Sequence, residues 1–380
     1  MATQALITGN GDQRRTLVVV FLRGAADGLA LVPPVEDEHY YRARPRLGIA
    51  KKDAVRLDER FGLHPKLAPL ERAWREGDLA IVHACGSEDG TRSHFEAQDL
   101  MEHGGLVAGG WLGRFLRVKP AAAGGALTCV AVGKALPECL LGAPSATVMQ
   151  GLDDFALGGR TPAFRTQLER LYAMERGQLG VAARDTFDAL VRIEAMRGAA
   201  YTPANGASYP RDEFATGLSQ LARLIKADVG LEAASIDLPG WDSHFAQEAR
   251  VDLLAARLAA GLAAFRRDLG VRMATTTVVI MTEFGRTVEE NSAFGTDHGR
   301  GSVFFVLGGG VRGGRTHGDW RGLAPAGLEK RGLLEGYGDL PVWNNYRDAL
   351  APVLIRHGAD AGGLATVFPE YSLRPLPLYD

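Results

Sequence analysis

The sequence predicts an α/β protein in which a mostly parallel central sheet is covered by helices on both faces, giving a three-layer sandwich. Three observations lead to this prediction. The chain has 380 residues, of which 46% are hydrophobic, so it can bury a large core. Short apolar runs rich in β-branched residues are typical of strands buried on both faces. Stretches with apolar residues three and four positions apart lie between these runs, as expected for helices that connect parallel strands.

The predicted strands share an apolar run that ends close to a turn residue, and they cover residues 16–24, 78–86, 127–133, 145–151, 231–240, 275–285 and 301–310. The predicted helices share helical spacing of apolar residues, and they lie within residues 161–226, 244–270 and 344–360. The second of these helices ends at a glycine, which is typical of a helix C-cap.

No internal repeat, low-complexity segment or linker interrupts the chain, which favours a single domain over residues 16–370. The mostly helical stretch at about 150–230 has two interpretations. It is either a helical cap inserted into the domain or a continuation of the strand and helix alternation.

Composition excludes several classes of partner. A net charge of -2 gives no reason to expect nucleic acid or an anionic membrane. No stretch approaches the roughly 20 apolar residues of a membrane span. Cys85, Cys129 and Cys139 are an odd set with wide spacing, so reduced thiols are expected. Arg14 and Arg15 precede a short apolar run that we interpret as the first strand, which favours a cytoplasmic protein unless the start has been processed.

Acids and histidines cluster beside the ends of the predicted strands. Residues that follow a strand are Asp27, Ser93, His94, Asp242, His244 and Glu283, whereas Asp297 and His298 precede the strand at 301–310. Loops at the carboxyl ends of parallel strands converge on one crevice. Carboxylate oxygens and imidazole nitrogens are ligands of divalent metals. The pattern therefore predicts a site for a divalent ion such as zinc, manganese, magnesium or calcium.

Each of these residues also has an ordinary structural interpretation. Ser93 is a candidate N-cap that forms a capping box with Glu96, and His94 is interpreted as a supporting or packing residue in preference to a ligand. Glu283 is equally compatible with a surface salt bridge to Arg286. The remaining members are compatible with turn, helix-cap or polar-loop roles, namely Asp27, Asp242, His244, Asp297 and His298.

Six motifs taken in order carry a family resemblance: LVVVFLRGAADGLALVPP, FGLHPKLAPL, RSHFEAQD, GWDSHFAQ, TEFGRTVEEN and GTDHGRG. Together they resemble the bacterial domain-of-unknown-function 1501 family, whose members resemble the alkaline phosphatase and sulfatase superfamily. The resemblance implies an alkaline phosphatase-like fold, a site for one or two metal ions, and a nucleophile at a helix N-terminus. It also implies a small-molecule anionic ester as the substrate.

The resemblance also suggests roles for individual residues. Ser93 falls at the nucleophile position. The ligands of one metal would be Asp242, His244 and His298, and those of a second would be Asp27 and Glu283, with Asp297 adjacent. The superfamily usually has Asp-His-Gly where this chain has Glu283, Phe284 and Gly285. This departure leaves open whether the chain has one metal site or two.

A reaction follows from these implied roles. Ser93 would attack a phosphorus or sulfur centre, and His94 would orient the leaving group or a ligand. Arg92 and Arg286 are candidates to bind the anionic oxygens of the substrate. A metal-dependent mutase, a phosphonate hydrolase, and a metal-binding or maturation protein without turnover remain alternatives. Because many family members resemble exported proteins with a twin-arginine signal, a periplasmic location is a further expectation.

Overall fold

The structure is a computed structural model, and it describes residues 14–119, 125–152, 162–197, 200–330 and 336–380. The strands in chain order are β1 (Thr16–Arg23), β2 (Val55–Arg56), β3 (Gly62–Leu63), β4 (Leu79–Gly86), β5 (Cys129–Val132), β6 (Thr147–Met149), β7 (Ala233–Pro239), β8 (Thr276–Met281), β9 (Ser302–Gly308), β10 (Arg315–His317) and β11 (Asn344–Asn345). The helices are α1 (Gly28–Leu31), α2 (Glu38–Ala43), α3 (Glu71–Arg75), α4 (His94–His103), α5 (Trp111–Val118), α6 (Pro162–Ala173), α7 (Gln178–Arg197), α8 (Glu213–Lys226), α9 (Gln247–Leu269), α10 (Tyr346–Arg356) and α11 (Ala361–Val367).

One large sheet forms the centre of the molecule. Its strand order is β10-β4-β9-β8-β1-β7-β5-β6, and β11 adds to the end of β4. Among the strands that the structure describes, β9 runs antiparallel to both of its neighbours, and the other pairs in this sheet are parallel. The predicted α/β class with a mostly parallel central sheet is therefore confirmed.

The two faces of β1 show why helices cover the sheet on both sides. Val18, Val20 and Leu22 belong to a buried cluster that also contains apolar residues of α8 and α9. Leu17, Val19 and Phe21 belong to a second cluster with residues of α5, α10 and α11. Successive side chains of a strand point to opposite faces, so a continuous apolar run requires an apolar layer on each side.

Part of the predicted cap region belongs to one of these layers. Helix α8 contributes Phe214, Leu218 and Leu221 to the first buried cluster, and it packs against α9 and β7. Helices α6 and α7 pack against each other. Residues 153–161 and 198–199 of the region lie outside the described residues. Cys85, Cys129 and Cys139 are free and buried, in keeping with the expected thiols.

The antiparallel direction of β9 positions the site. Strands β1, β7 and β8 end at the same edge of the sheet because they are parallel. Strand β9 pairs Ile280 of β8 with Phe305 and Thr277 with Gly308, so it begins at that edge. The loop before β9 therefore meets the loops after the other strands.

Candidate metal centre

Three side chains from three separate segments bring donor atoms to one point at this edge. They are His94 at the start of α4, Asp242 after β7, and His298 before β9, and one donor atom from each lies within 4.8 Å of the others. The two Nε2 atoms of His94 and His298 are 3.0 Å apart. The carboxylate of Asp242 lies 3.2 Å from Nε2 of His298 and 3.4 Å from Nε2 of His94.

His244 adds a fourth donor on one side of this group. Its Nε2 lies 3.0 Å from Nε2 of His298 and 3.0 Å from the Asp242 carboxylate. We call these four side chains, His94, Asp242, His244 and His298, the donor cluster. Asp242 and His244 are 47% and 41% exposed, so the cluster is open to solvent on their side.

The opposite ring nitrogens of the histidines face hydrogen-bond acceptors. Nδ1 of His94 lies 2.8 Å from Oε1 of Glu283, and Nδ1 of His298 lies 2.9 Å from the backbone carbonyl of Arg92. Nδ1 of His244 lies 3.4 Å from Oδ1 of Asp297. A carbonyl or ionised carboxylate can only accept, so these contacts place the protons on Nδ1 and leave Nε2 as an acceptor. All three Nε2 lone pairs then point into the cluster.

Converging lone pairs and a carboxylate fit a metal ion. Nitrogen ligands of tetrahedral zinc lie at about 2.0–2.1 Å, which places two ligands about 3.3 Å apart. The donor atoms of His94, Asp242 and His298 are separated by 3.0–3.4 Å. Without a cation, acceptors at these distances would repel unless a proton were shared between them. The residues present therefore fit a divalent cation in both chemistry and spacing.

Asp242 is ionised and fixed by Arg286. Partial burial alone would raise its pKa, but the hydrogen bond from Arg286 holds the pKa of Asp242 well below its ordinary value. Arg286 donates to Asp242 Oδ1 at 2.8 Å. The guanidinium is buried, and its other hydrogen bonds go to the carbonyls of Gly24, Ala25, Trp241, Ser243 and Thr296. Arg286 thus ties the site loops together, and its guanidinium is engaged with protein acceptors.

Glu283 supports His94 and does not point into the cluster. Its side chain is buried, and Oε1 accepts from Gly24 N at 2.8 Å and from Gln98 Nε2 at 3.0 Å, in addition to facing His94. Burial alone would raise the pKa of Glu283, but the hydrogen bond with His94 lowers it. The same contact raises the pKa of His94. This arrangement has the form of the carboxylate–histidine pairs that orient histidine ligands in metalloproteins, and Glu283 faces His94 in place of the salt bridge to Arg286.

Phe284 occupies one side of the histidine pair. Its ring is buried and lies 5.0 Å from the ring of His94 and 5.0 Å from that of His298. An apolar ring in this place offers no ligand for a second ion.

Asp27 has a scaffold environment. Both carboxylate oxygens bond the Arg44 guanidinium, at 2.7 and 3.1 Å, and Oδ2 also accepts from Gln247 at 2.6 Å. Asp27 also caps α1 by accepting from the backbone of Leu29 and Ala30. With both oxygens bonded in the protein interior, the structure does not bring Asp27 into the donor cluster.

The segment before α4 differs in detail from the predicted capping box. Ser93 is the N-cap residue, but its hydroxyl makes no cap hydrogen bond. Glu96 accepts instead from the hydroxyl of Thr91 at 2.6 Å, and Thr91 Oγ1 accepts from the Ser93 amide. The alternative interpretation, in which Asp242 or His244 caps the next helix, does not hold, because the N-cap of α9 is Ala246.

Arg92 contacts the loop before β9. Its guanidinium donates to the His298 carbonyl at 2.8 Å and pairs with Asp339. His298 in turn bonds the Arg92 carbonyl. The two segments therefore hold each other, and the guanidinium of Arg92 is engaged with protein acceptors.

Sequence reasoning missed two supporting residues. Gln98 lies one helical turn after His94 and donates to Glu283. Asn291 donates to the His244 carbonyl at 2.9 Å, and its Oδ1 accepts from the amides of Ala293 and Gly295. The spacing of His94 and Gln98 by four positions would have indicated one helical face, whereas the loop contacts of Asn291 leave no sequence pattern.

Distant likenesses to solved structures were found. One is the C-terminal periplasmic domain of EcEptC from Escherichia coli in complex with zinc, with 10% identity, a TM-score of 0.33, and coverage of 78% of this chain and 74% of that one. A second is BT1596, a 2-O GAG sulfatase, with 9% identity, a TM-score of 0.38, and coverage of 80% and 66%. A third is the PsFucS1 sulfatase from Pseudoalteromonas sp., with 10% identity, a TM-score of 0.35, and coverage of 80% and 64%. Likenesses at this level carry no conclusion about activity.

No curated protein matches the sequence. Among the helices within the described ranges, none combines the length and hydrophobicity needed to cross a bilayer. The model of the family described as "Protein of unknown function (DUF1501)" matches residues 92–332, which is more than half of the 380-residue chain. This match includes every member of the donor cluster, and the chain belongs to the DUF1501 family.

Proposed function

We propose that this protein is a divalent-metal-dependent hydrolase of phosphate or sulfate esters that uses one metal ion. The observation that carries the proposal is the donor cluster, in which three Nε2 atoms and one carboxylate meet with their outer nitrogens held by acceptors. Such a cluster has an excess of lone pairs that a divalent cation would satisfy.

The donor types favour zinc or a similar transition metal. Imidazole is a good ligand for zinc, whereas calcium and magnesium prefer all-oxygen ligand sets. His94, Asp242 and His298 would hold the ion, and His244 lies beside them. When bound, the ion would supply positive charge that stabilises anionic oxygens and lowers the pKa of a bound hydroxyl group.

The exposure of the cluster supports catalysis over a purely structural metal. Structural zinc sites are closed by four protein ligands, whereas catalytic sites keep a position for water or substrate. Here Asp242 and His244 form the solvent-facing side, and His94 and His298 are 21% and 19% exposed. A small anionic ester could reach the donors from that side.

Ser93 is the proposed nucleophile. It directly precedes His94 at the N-terminus of α4, where the helix dipole favours an anion. Attack would form a bond from Ser93 Oγ to phosphorus or sulfur and break the bond to the leaving alcohol oxygen. Water would then cleave the serine ester and release inorganic phosphate or sulfate.

A single ion is favoured over a pair. Glu283 and Asp27, the expected ligands of a second ion, bond protein donors, and Phe284 covers the histidine rings. Phe284 stands where the superfamily usually has a histidine. This difference supports a second candidate function, namely a metal-binding protein without turnover.

The test is turnover of 4-nitrophenyl phosphate and 4-nitrophenyl sulfate by zinc-loaded and manganese-loaded protein. We expect Ser93→Ala to lower kcat by at least about 100-fold with unchanged metal content, because the nucleophile is removed and the donors remain. The matched control is Ser208→Ala, which changes an exposed serine between α7 and α8. Full activity in Ser93→Ala would refute the nucleophile. Metal binding without turnover of either ester would favour the binding protein.

A further inference from the structure

Three exposed phenylalanines lie beside the donor cluster. Phe95 follows His94 and is 84% exposed, and Phe245 follows His244 and is 74% exposed. Phe294 lies in the loop that leads to His298 and is 53% exposed. We call these three residues the phenylalanine rim. Exposed aromatic rings on three separate segments, each close in sequence to a donor, indicate a binding surface at the site entrance.

The backbone holds part of this rim in an unusual conformation. Phe294 has a φ of 59° and Ala246 has a φ of 46°, in the left-handed region that non-glycine residues rarely adopt. Such strain persists where surrounding contacts enforce it, and it is concentrated at binding sites. Here the Gln247 amide donates to the Phe294 carbonyl at 2.9 Å, and the Ala246 amide donates to the Ala293 carbonyl at 3.1 Å.

The same contacts connect the rim to the donors. Asn291 accepts from the amides of Ala293 and Gly295, on either side of Phe294, and donates to the carbonyl of His244. Phe245 and Phe294 are therefore fixed on the two segments that carry His244 and His298. The position of the rim relative to the metal centre is set by the fold.

Charge at the rim identifies the kind of occupant. The Arg46 guanidinium lies 4.4 Å from the centre of the Phe294 ring. Arg46 adds positive charge at the rim, and the exposed rings add apolar surface, which together favour a ligand that is anionic at one end and apolar in its body.

We infer that the phenylalanine rim binds the apolar organic group of the ester, so that the substrate is a phosphate or sulfate ester of an alkyl or aryl alcohol. The inference rests on the proposed function, because the donor cluster must hold the anionic end. It also predicts that affinity grows with apolar chain length, since each methylene group that becomes buried raises affinity by up to about fourfold.

The experiment is calorimetric binding of n-alkylphosphonates, from methyl to octyl, to zinc-loaded full-length protein whose metal content is measured on the same samples. These ligands are not hydrolysed, so the readout does not depend on turnover. We expect affinity to rise about two- to fourfold per methylene group over part of the series. Phe95→Ala, Phe245→Ala and Phe294→Gly should each lower this increase per methylene group, and an increase equal to that of the parent chain in all three variants would overturn the inference.

One variant controls for misfolding, and a second variant controls for non-specific effects of an exposed substitution. Phe294→Gly removes the ring and relieves the left-handed strain, so its thermal stability should be at least that of the parent chain. Val271→Ala is the matched control, because Val271 is 92% exposed in the segment before β8, at the opposite edge of the sheet. Its chain-length dependence should equal that of the parent chain.

The outcomes separate the two proposals. Bound metal with no chain-length dependence would overturn the rim inference and leave the hydrolase proposal standing. Chain-length dependence without any ester turnover would support the rim and count against hydrolysis. If phosphatidylglycerol vesicles bind in a rim-dependent way while the alkylphosphonates show no chain-length dependence, the rim is a membrane contact and the inference is overturned. Protein that binds no metal would defeat both.

Discussion

At the scale of single residues, burial separates the acid that faces the donor cluster from the acid that lies behind it. Glu283 is buried and accepts hydrogen bonds from several protein donors, and one of its oxygens fixes the ring of His94. Asp242 is half exposed and faces three imidazoles. Both were predicted as metal ligands from the sequence, which shows residue type and position but not the direction of a side chain.

Glu283→Gln tests the supporting role. The amide retains the size of the carboxylate, and its NH₂ group can donate to Thr282 Oγ1, whose hydroxyl also bonds the Leu22 carbonyl. The fold should therefore survive. Loss of the charge behind His94 should weaken zinc binding by about 10–100-fold, measured by competition with a chelator at pH 8.

The same variant makes a prediction about pH. The hydrogen bond with Glu283 raises the pKa of His94, and a proton on Nε2 of that ring competes with the metal. Zinc affinity of the parent chain should thus fall as the pH drops through this raised pKa. Removing the charge lowers the His94 pKa, so the fall should move to lower pH in Glu283→Gln. Equal affinity and an equal pH profile in both proteins would contradict the pairing.

At the scale of elements, the antiparallel strand β9 brings the loop at 291–298 to the donors. The alternation of strands and helices predicted that neighbouring strands are parallel. Asp297 and His298 were the exception in the predicted site, because they precede their strand and the other members follow theirs. The structure explains this exception. Because β9 is antiparallel to β8, the loop before β9 lies at the same edge of the sheet as the loop after β8. Strand direction depends on pairing between distant segments, which a single sequence does not display.

Contact between the two site loops makes a prediction at this scale. A Cβ atom on Gly295 would lie 2.3 Å from the His244 carbonyl oxygen, with backbone atoms as its nearest neighbours. Gly295→Ala should therefore push the loops apart and lower zinc affinity at least about tenfold, because ligand positions tolerate errors of only about 0.5 Å.

The control for this loop variant is Gly327→Ala, since a Cβ atom there meets nothing within 4 Å. Circular dichroism should show both variants folded. Parent-like zinc affinity in folded Gly295→Ala would mean that loop spacing does not set the donor geometry.

At the scale of the whole molecule, the sequence predicted the architecture better than the site. Strands such as β1 and β8 are continuous apolar runs, and burial of both faces follows directly from that composition. The predicted strand at 275–285 ends at Met281, because Thr282 bonds the Leu22 carbonyl and Gly285 bonds the Arg300 carbonyl. The first of these bonds joins residues 260 positions apart, and both depend on the folded loops, so the sequence alone could not reveal them.

The convergence of donors could be predicted because it follows from topology. His94 shows the limit of that reasoning, since it was interpreted as a supporting residue and the structure places its Nε2 among the donors. The reason is the buried Glu283 behind the ring, which turns Nε2 outward. Roles within the centre therefore depend on contacts that only the folded chain shows.

Metal content of the purified chain tests the central claim most directly. After loading with zinc and dialysis, elemental analysis should find one ion per parent chain, and Asp242→Ala and His298→Ala should each lose most of it because only two of the three proposed ligands remain. Asp53→Ala and His39→Ala, which change an exposed turn residue and a histidine bonded to Tyr337, should keep the ion. One tightly held ion in Asp242→Ala and His298→Ala would contradict the account.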